Sequence, residues 1–167
     1  MDFYNGGYNI MISIRQAKSN EFKILTQVAI ASEAYWGYEN DYMETFKELY
    51  AVTEDFINNN PTFIIEKEEN IIGFYSIFIE EKEVSLEYFF IEPNYIGKGY
   101  GKLLWKNMIE NCKDFGVKEF VIVTSPQAKE FYTKMGAVKI GEVESLVKKG
   151  RKIPKLIYNC ENYNCGK

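Results

Sequence analysis

Residues 84–123 read as a strand, a glycine-punctuated turn, a helix and a second strand, and this succession restricts the fold more than any other feature of the chain. "VSLEYFFI" (84–91) is an apolar run rich in aromatic residues. Beyond it, Leu103, Leu104, Met108, Cys112 and Phe115 recur at helical spacing and stop at Gly116, a natural C-terminal cap. "EFVIVT" (119–124) then has the pattern of a buried strand. A tight hairpin cannot connect parallel strands, so strand, helix and strand in this order imply a parallel pair joined by a right-handed crossover. Gly97, Gly99 and Gly101 fall at the carboxyl end of the first strand of that unit.

Other segments build outward from this unit. Residues 1–10, "MDFYNGGYNI", lack sustained periodicity and read as a flexible N-terminal extension, so that residues 11–167 form a single domain opening on a strand at Met11. Ser19 is a candidate cap for a helix over residues 20–35, and residues 39–59 read as helical in two pieces, the second capped by Thr53. From Thr62, "TFIIEK", "IIGFYSIFIE" and "VSLEYFFI" follow at strand period with polar turns between them, an antiparallel meander. Ser125 and Pro126 open a last helix reaching Met135, with Gly136 as its stop. "AVKIGEV" and "KLIYNC" are late strands around a basic loop holding Lys148, Lys149, Arg151 and Lys152. The pattern is a mixed α/β (α+β) sheet, mostly antiparallel, flanked by helices.

Composition removes whole classes of function. With 24 acidic and 20 basic residues the formal charge is −4, which offers no electrostatic footprint for nucleic acid. The chain has no histidine, which excludes imidazole-based triads and the usual zinc sites, and no metal is expected. Cys112, Cys160 and Cys165 form no CxxC pair, and no signal-type segment opens the chain, which fits a reducing cytoplasm. The apolar runs fall far short of the roughly 20 residues that a membrane helix needs.

Glycines between a strand and a helix permit a tight turn, and they also let a ligand approach the backbone and meet several amides at one point. The helix that follows adds its dipole and unpaired first-turn N–H groups, and Lys98 and Lys102 add charge, which together suit a phosphate or pyrophosphate. A turn that needs glycine only for its own conformation is the competing explanation. A Walker loop is excluded, because Lys102 precedes Leu103 rather than Ser or Thr, and a Rossmann loop would need glycine at Lys102.

"IGKGYG" (96–101) resembles the signature of the GNAT superfamily of N-acetyltransferases: Arg or Gln, two residues, Gly, one residue, then Gly or Ala. It matches at Gly99 and Gly101, with Ile96 in the place of Arg or Gln. "SPQAKEFYTKMGA" (125–137) resembles the later helix of the same family: Ala, two residues, Phe-Tyr, three residues, Gly. The resemblance covers about residues 11–160 and implies a GNAT-like fold, a twisted sheet whose central parallel strands splay at their carboxyl ends. It also implies acetyl-CoA as donor. The pyrophosphate would lie on Gly97, Lys98, Gly99, Tyr100, Gly101 and Lys102, beside Ile96. The pantetheine arm would pass Phe89, Phe90 and Ile91, with Ser125, Ala128 and Phe131 along the same path.

The chemistry so implied is N-acetyl transfer to a primary amine of a small molecule or peptide by direct attack in a ternary complex. A noncatalytic acyl-CoA sensor or interaction module is the alternative. An amine with a pKa of about 10.4 needs a base at neutral pH, and freeing it costs roughly 4 to 5 kcal/mol. Glu87 is the candidate, because strict strand alternation places it on the face of Phe89 and Ile91; a solvated carboxylate is the plain alternative. Tyr132 stands where the family has its tyrosine acid, a position in which an aromatic can also simply pack. In "SEAYWGYEND" (32–41), Tyr35, Trp36 and Tyr38 are candidate acceptor-binding rings, and Glu33 or Glu39 a source of negative charge, with core packing as the competing role. The loop at 150–154 either covers the site, binds the donor's outer phosphate or is merely solvated. No nucleic-acid or membrane partner is expected, and homodimerisation is left open.

Overall fold

A computed structural model describes residues 2–5 and 8–163. In chain order the strands are β1 (Asp2–Asn5), β2 (Tyr8–Gln16), β3 (Thr62–Lys67), β4 (Asn70–Ile79), β5 (Val84–Ile91), β6 (Glu119–Val123), β7 (Val138–Glu144) and β8 (Lys152–Asn159). The helices are α1 (Phe22–Ala34), α2 (Asn40–Leu49), α3 (Glu54–Asn59), α4 (Tyr100–Asp114) and α5 (Lys129–Lys134). The sheet order is β1-β2-β3-β4-β5-β6-β8-β7, antiparallel throughout except where β5 meets β6. The crossover β5-α4-β6 is therefore the one that the sequence dictates, and the meander is β3-β4-β5. This is a mixed, mostly antiparallel sheet with one central parallel pair, as the sequence pattern implied.

Alternation along the strands feeds two cores, one on each face of the sheet. Ile64, Phe74 and Phe90 are successive cross-strand partners and, with Tyr88, meet Leu25, Val28 and Ala29 of α1 and Ile57 of α3. On the other face Ile65, Tyr75 and Ile91 pack under Leu104, Trp105 and Met108 of α4. The Tyr75 hydroxyl enters that core with its polarity satisfied, donating to Asn107 Oδ1 at 2.8 Å and accepting from Asn111 Nδ2 at 2.7 Å.

Several boundaries differ from the sequence pattern. The first strand starts at Tyr8 rather than Met11 and pairs with Asp2–Asn5, so much of the segment read as a loose extension is strand; residues 1, 6 and 7 lie outside the described residues, as does Cys165. Ser19 is not a helix cap: it opens a short 3-10 turn (Ser19–Glu21), and the Glu21 carboxylate instead accepts the Lys18 N–H at 2.8 Å and pairs with Arg15. The helix expected from Pro126 begins only at Lys129, because residues before it form a turn in which Ser125 Oγ accepts the Ala128 N–H at 3.3 Å. Thr53 does cap α3, accepting the Phe56 N–H at 3.1 Å. No helix among the described residues is long and apolar enough to cross a membrane.

Gly73 marks the tightest strand contact. A Cβ there would lie 2.7 Å from the Phe90 carbonyl oxygen and 2.7 Å from Ile91 Cδ1. Backbone oxygen cannot yield as a flexible side-chain end can, so Gly73→Ala is expected to destabilise the fold by about 2 kcal/mol in urea denaturation.

Candidate active site

The parallel pair is barely a pair. β5 and β6 share one registered partner, Ser85 with Val121, whereas β6 stays paired with β8 from Glu119 to Val123. The cause lies in β5. Its register with β4 shifts between Ser76–Tyr88 and Ile77–Leu86, leaving Glu87 as an extra residue in a bulge. A bulge bends its strand and sharpens the twist. Beyond it β5 swings from β6, and a cavity of about 490 Å3 opens between residues 86–91 and 122–124.

The same bulge corrects the expected position of Glu87. Leu86 packs in the core of Phe89 and Ile91, but Tyr88 and Phe90 belong to the opposite core, so alternation breaks at Glu87. Its carboxylate does not share the Phe89 face; its charge is felt by Tyr50 and Tyr88 on the α1-α2 side. By surface area Glu87 is exposed, yet it lies deep enough along the cavity for desolvation to raise its pKa.

At the other end of the cavity the three glycines have two separate reasons to be glycine. Gly97 and Gly99 have φ of 77° and 90°, the left-handed region, with nothing within 4 Å of where a Cβ would stand, whereas a Cβ on Gly101 would lie 3.2 Å from the Phe131 ring. The main-chain N–H groups of residues 97–102 have no hydrogen-bond acceptor among the described residues. The next amide, that of Leu103, is the first to bond back, to Gly99 O at 3.3 Å. A consecutive run of open amides at the positive end of a 15-residue helix has the geometry and polarity that suit an anion.

Between these ends stands Tyr132. An aromatic cluster fixes α5: Phe89 lies 5.5 Å from Phe131 and 6.0 Å from Tyr132, with Trp105 5.9 Å from Tyr132. The Tyr132 side chain is buried, but its hydroxyl borders the cavity and has no hydrogen-bond partner among the described residues. Burial, and next the Glu33 charge, push this phenol's pKa up and keep it protonated.

The α1-α2 side supplies a polar wall. Glu33 is 9% exposed, accepts the Tyr42 hydroxyl at 2.7 Å, and has its pKa raised by desolvation against the opposing effects of Tyr42 and Arg151. Trp36, Phe46 and Tyr50 line the cavity beside it, and Arg151 reaches in from the β7-β8 loop.

The cavity thus brings together Trp36, Glu87, Phe89, Phe90, Ile91, Ile96, Gly97, Gly99, Gly101, Lys102, Ser125, Ala128, Phe131 and Tyr132 of the residues singled out from the sequence. Five others, Glu39 among them, do not line it. Lys98 places its ammonium over the Tyr95 ring, 5.9 Å from the centroid, and the Tyr100 ring edges onto Tyr95 at 5.7 Å. Tyr35 is 54% exposed against Trp36. Tyr38 acts at one remove, by stacking on Tyr42 at 4.0 Å and holding Arg151. Tyr42, Phe46 and Tyr50 were missed, since their helical spacing in α2 looks like ordinary core.

The comparisons follow this geometry. The model of the Acetyltransferase (GNAT) family matches residues 28–137, and the chain belongs to that family. Among solved structures it resembles the PaiA N-acetyltransferase from Thermoplasma acidophilum in complex with coenzyme A, at 20% identity over 89% of this chain and 99% of that one, TM-score 0.74. A GCN5-related N-acetyltransferase from Rhodopseudomonas palustris matches at 16% identity over 92% of this chain and 99% of its own, TM-score 0.74. YncA from Salmonella typhimurium, a putative acetyltransferase with its cofactor acetyl-CoA, matches at 16% identity over 94% and 98%, TM-score 0.69. At these identities the likeness is one of fold. No curated protein matches the chain.

Proposed function

We propose that the protein is an acetyl-CoA-dependent N-acetyltransferase acting on a primary amine of a small molecule or peptide, by direct attack in a ternary complex. The observation that carries this reading is the run of open amides at residues 97–102, set at one end of a cavity whose other end holds carboxylates, with the tyrosine hydroxyl of Tyr132 between them. The donor supplies an activated thioester. The loop amides and Lys102 hold its pyrophosphate, and the main chain of β5, unpaired on the β6 side past Leu86, faces its pantetheine amides.

Glu87 takes the amine's proton, directly or through water. Backbone N–H groups near Phe90 and Ile91 receive charge developing on the acyl oxygen, a contact worth about 3 kcal/mol. Tyr132 serves the departing sulfur. Because its pKa is raised, complete proton transfer to a thiolate whose conjugate acid is near 8.5 is uphill, so its hydroxyl acts chiefly by donating a hydrogen bond as sulfur charge grows.

Thiol release monitored with a panel of amines tests this reading. Acceptor-dependent release supports it. Tight donor binding with no release across the panel would favour a sensor, the reading that Ile96 in place of Arg or Gln favours.

The two carboxylates also predict a pH effect on stability. Desolvation raises the folded-state pKa of Glu33 and of Glu87, so the native chain binds these protons more tightly than the unfolded chain. Stability is then fullest below the ordinary glutamate value of about 4.3 and is lost as pH rises toward the raised folded values. Glu33→Gln is expected to flatten that fall and to be more stable than wild type at pH 8, read by urea denaturation across pH. A variant less stable at pH 8 would contradict this electrostatic account.

A further inference from the structure

The basic loop between β7 and β8 contributes a side chain to the cavity. Its Lys148, Lys149 and Lys152 do not line the cavity, whereas Arg151 does. The loop is held by its own hydrogen bonds: Ser145 N–H to Arg151 O at 2.8 Å, Arg151 N–H to Lys148 O at 3.2 Å, and Ser145 Oγ accepting from Val147 and Lys148 N–H, each at 3.2 Å. Gly150 N–H donates to Glu144 Oε1 at 2.7 Å, which fixes the residue before Arg151.

The guanidinium is fixed as well. It lies 4.9 Å from the Tyr38 ring centroid and 5.7 Å from that of Tyr42, and Nη2 donates to the Tyr38 hydroxyl at 3.1 Å. Tyr38 in turn donates to Gln127 Oε1 at 3.0 Å, so the ring that holds the cation is itself anchored from a second segment. Despite this, Arg151 forms no ion pair among the described residues, and its side chain makes a single hydrogen bond out of five available N–H donors. A guanidinium partly sheltered and oriented but left unpaired is matched by an anion that accepts from its planar fork.

At the deep end the signs reverse. Glu33 accepts one hydrogen bond, from Tyr42, and Glu87 has none among the described residues. Tyr42 connects the two ends, with its hydroxyl on the Glu33 carboxylate and its ring face beneath Arg151. One cavity therefore presents a cation and two carboxylates, with Tyr42 in contact with both Arg151 and Glu33.

We infer that the acceptor is a small zwitterion, an amine that also carries a carboxylate, with the carboxylate docked on Arg151 and the amine directed toward Glu33 and Glu87. This rests on the acetyl-transfer reading and names the acceptor class for that same site. A simple diamine fits worse, since its second ammonium would meet the guanidinium. Arg151 is here a specificity-determining residue, remote from the bond-forming atoms.

The test uses matched pairs that differ by one carboxylate: lysine and cadaverine, phenylalanine and phenethylamine, tryptophan and tryptamine, 6-aminohexanoate and pentylamine. Thiol release is measured with each on the full chain, and donor binding separately by calorimetry. At least one acid-bearing member is expected to exceed its partner about 10²-fold in kcat/KM, the scale of a bidentate charge-assisted contact. Arg151→Met should bring that ratio near one, and Arg151→Lys should restore part of it. A merely structural role for Arg151 would slow both members alike and leave the ratio in place. The inference is overturned if the carboxylate-free member is preferred in every pair, if Arg151→Met keeps the ratio, or if the acid-bearing amines give no release while acetyl-CoA binds normally. Failure of acetyl-CoA to bind overturns instead the acetyl-transfer reading beneath it.

Discussion

Tyr132→Phe lowers turnover by about 10² while donor affinity stays near that of wild type. The asymmetry follows from where the hydroxyl lies. The ring is fixed by Phe89, Phe131 and Trp105, contacts that phenylalanine keeps, so the fold of α5 and the cavity wall survive the change. Only the unpartnered hydroxyl at the cavity surface is lost. A hydrogen bond that strengthens as charge moves onto sulfur acts in the transition state, so its removal falls on kcat rather than on binding. Steady-state kinetics alongside calorimetry with coenzyme A measure the two separately. Unchanged kcat would remove Tyr132 from the mechanism, and equal losses in both would make it a packing residue.

Gly99→Val weakens donor binding by about 10². Nothing within 4 Å obstructs a Cβ at this position, so a clash is not the cause. The backbone is: φ of 90° is strained for any L side chain and more so for a branched one, at a cost of about 1 to 3 kcal/mol. The loop escapes that strain by changing its path, and the amides at residues 97–102 then no longer converge. Losing two charge-assisted hydrogen bonds is enough for the stated effect. Gly116→Ala is the control. It also places a side chain at positive φ, 76°, but at the far end of α4, so it lowers stability and leaves coenzyme A affinity unchanged. Unaltered affinity in Gly99→Val would contradict the assignment of the loop.

What could be seen in the sequence was set by period and punctuation. The crossover at residues 84–123 was legible because apolar spacing changes from strand to helix across glycines that have a steric reason to be there. The glycine end of the cavity was legible for the same reason, being built from contiguous residues. The bulge was not. An extra residue in β5 has no compositional mark, and assuming strict alternation placed Glu87 on the wrong face. The α1-α2 wall of the cavity was legible in part: Trp36 and Glu33 lie in a segment conspicuous for its aromatics, but Tyr42, Phe46 and Tyr50 resemble any amphipathic helix. Arg151 was visible only as one of four basic residues in a loop, since its approach to Tyr38 joins positions far apart in the chain. Nonlocal contacts of this kind leave no local pattern to read.

The position of β8 between β6 and β7 leaves β7 on the outer margin of the sheet, and the turn joining these two strands is the one that leans over the α1-α2 wall of the cavity. The glycine bend at the far end of the cavity belongs to a different connection, between β5 and α4. Under the proposed function, drift in that turn would retune which nucleophile is admitted while the handling of the thioester is inherited intact, a division of labour suited to diversifying one chemistry over many small molecules.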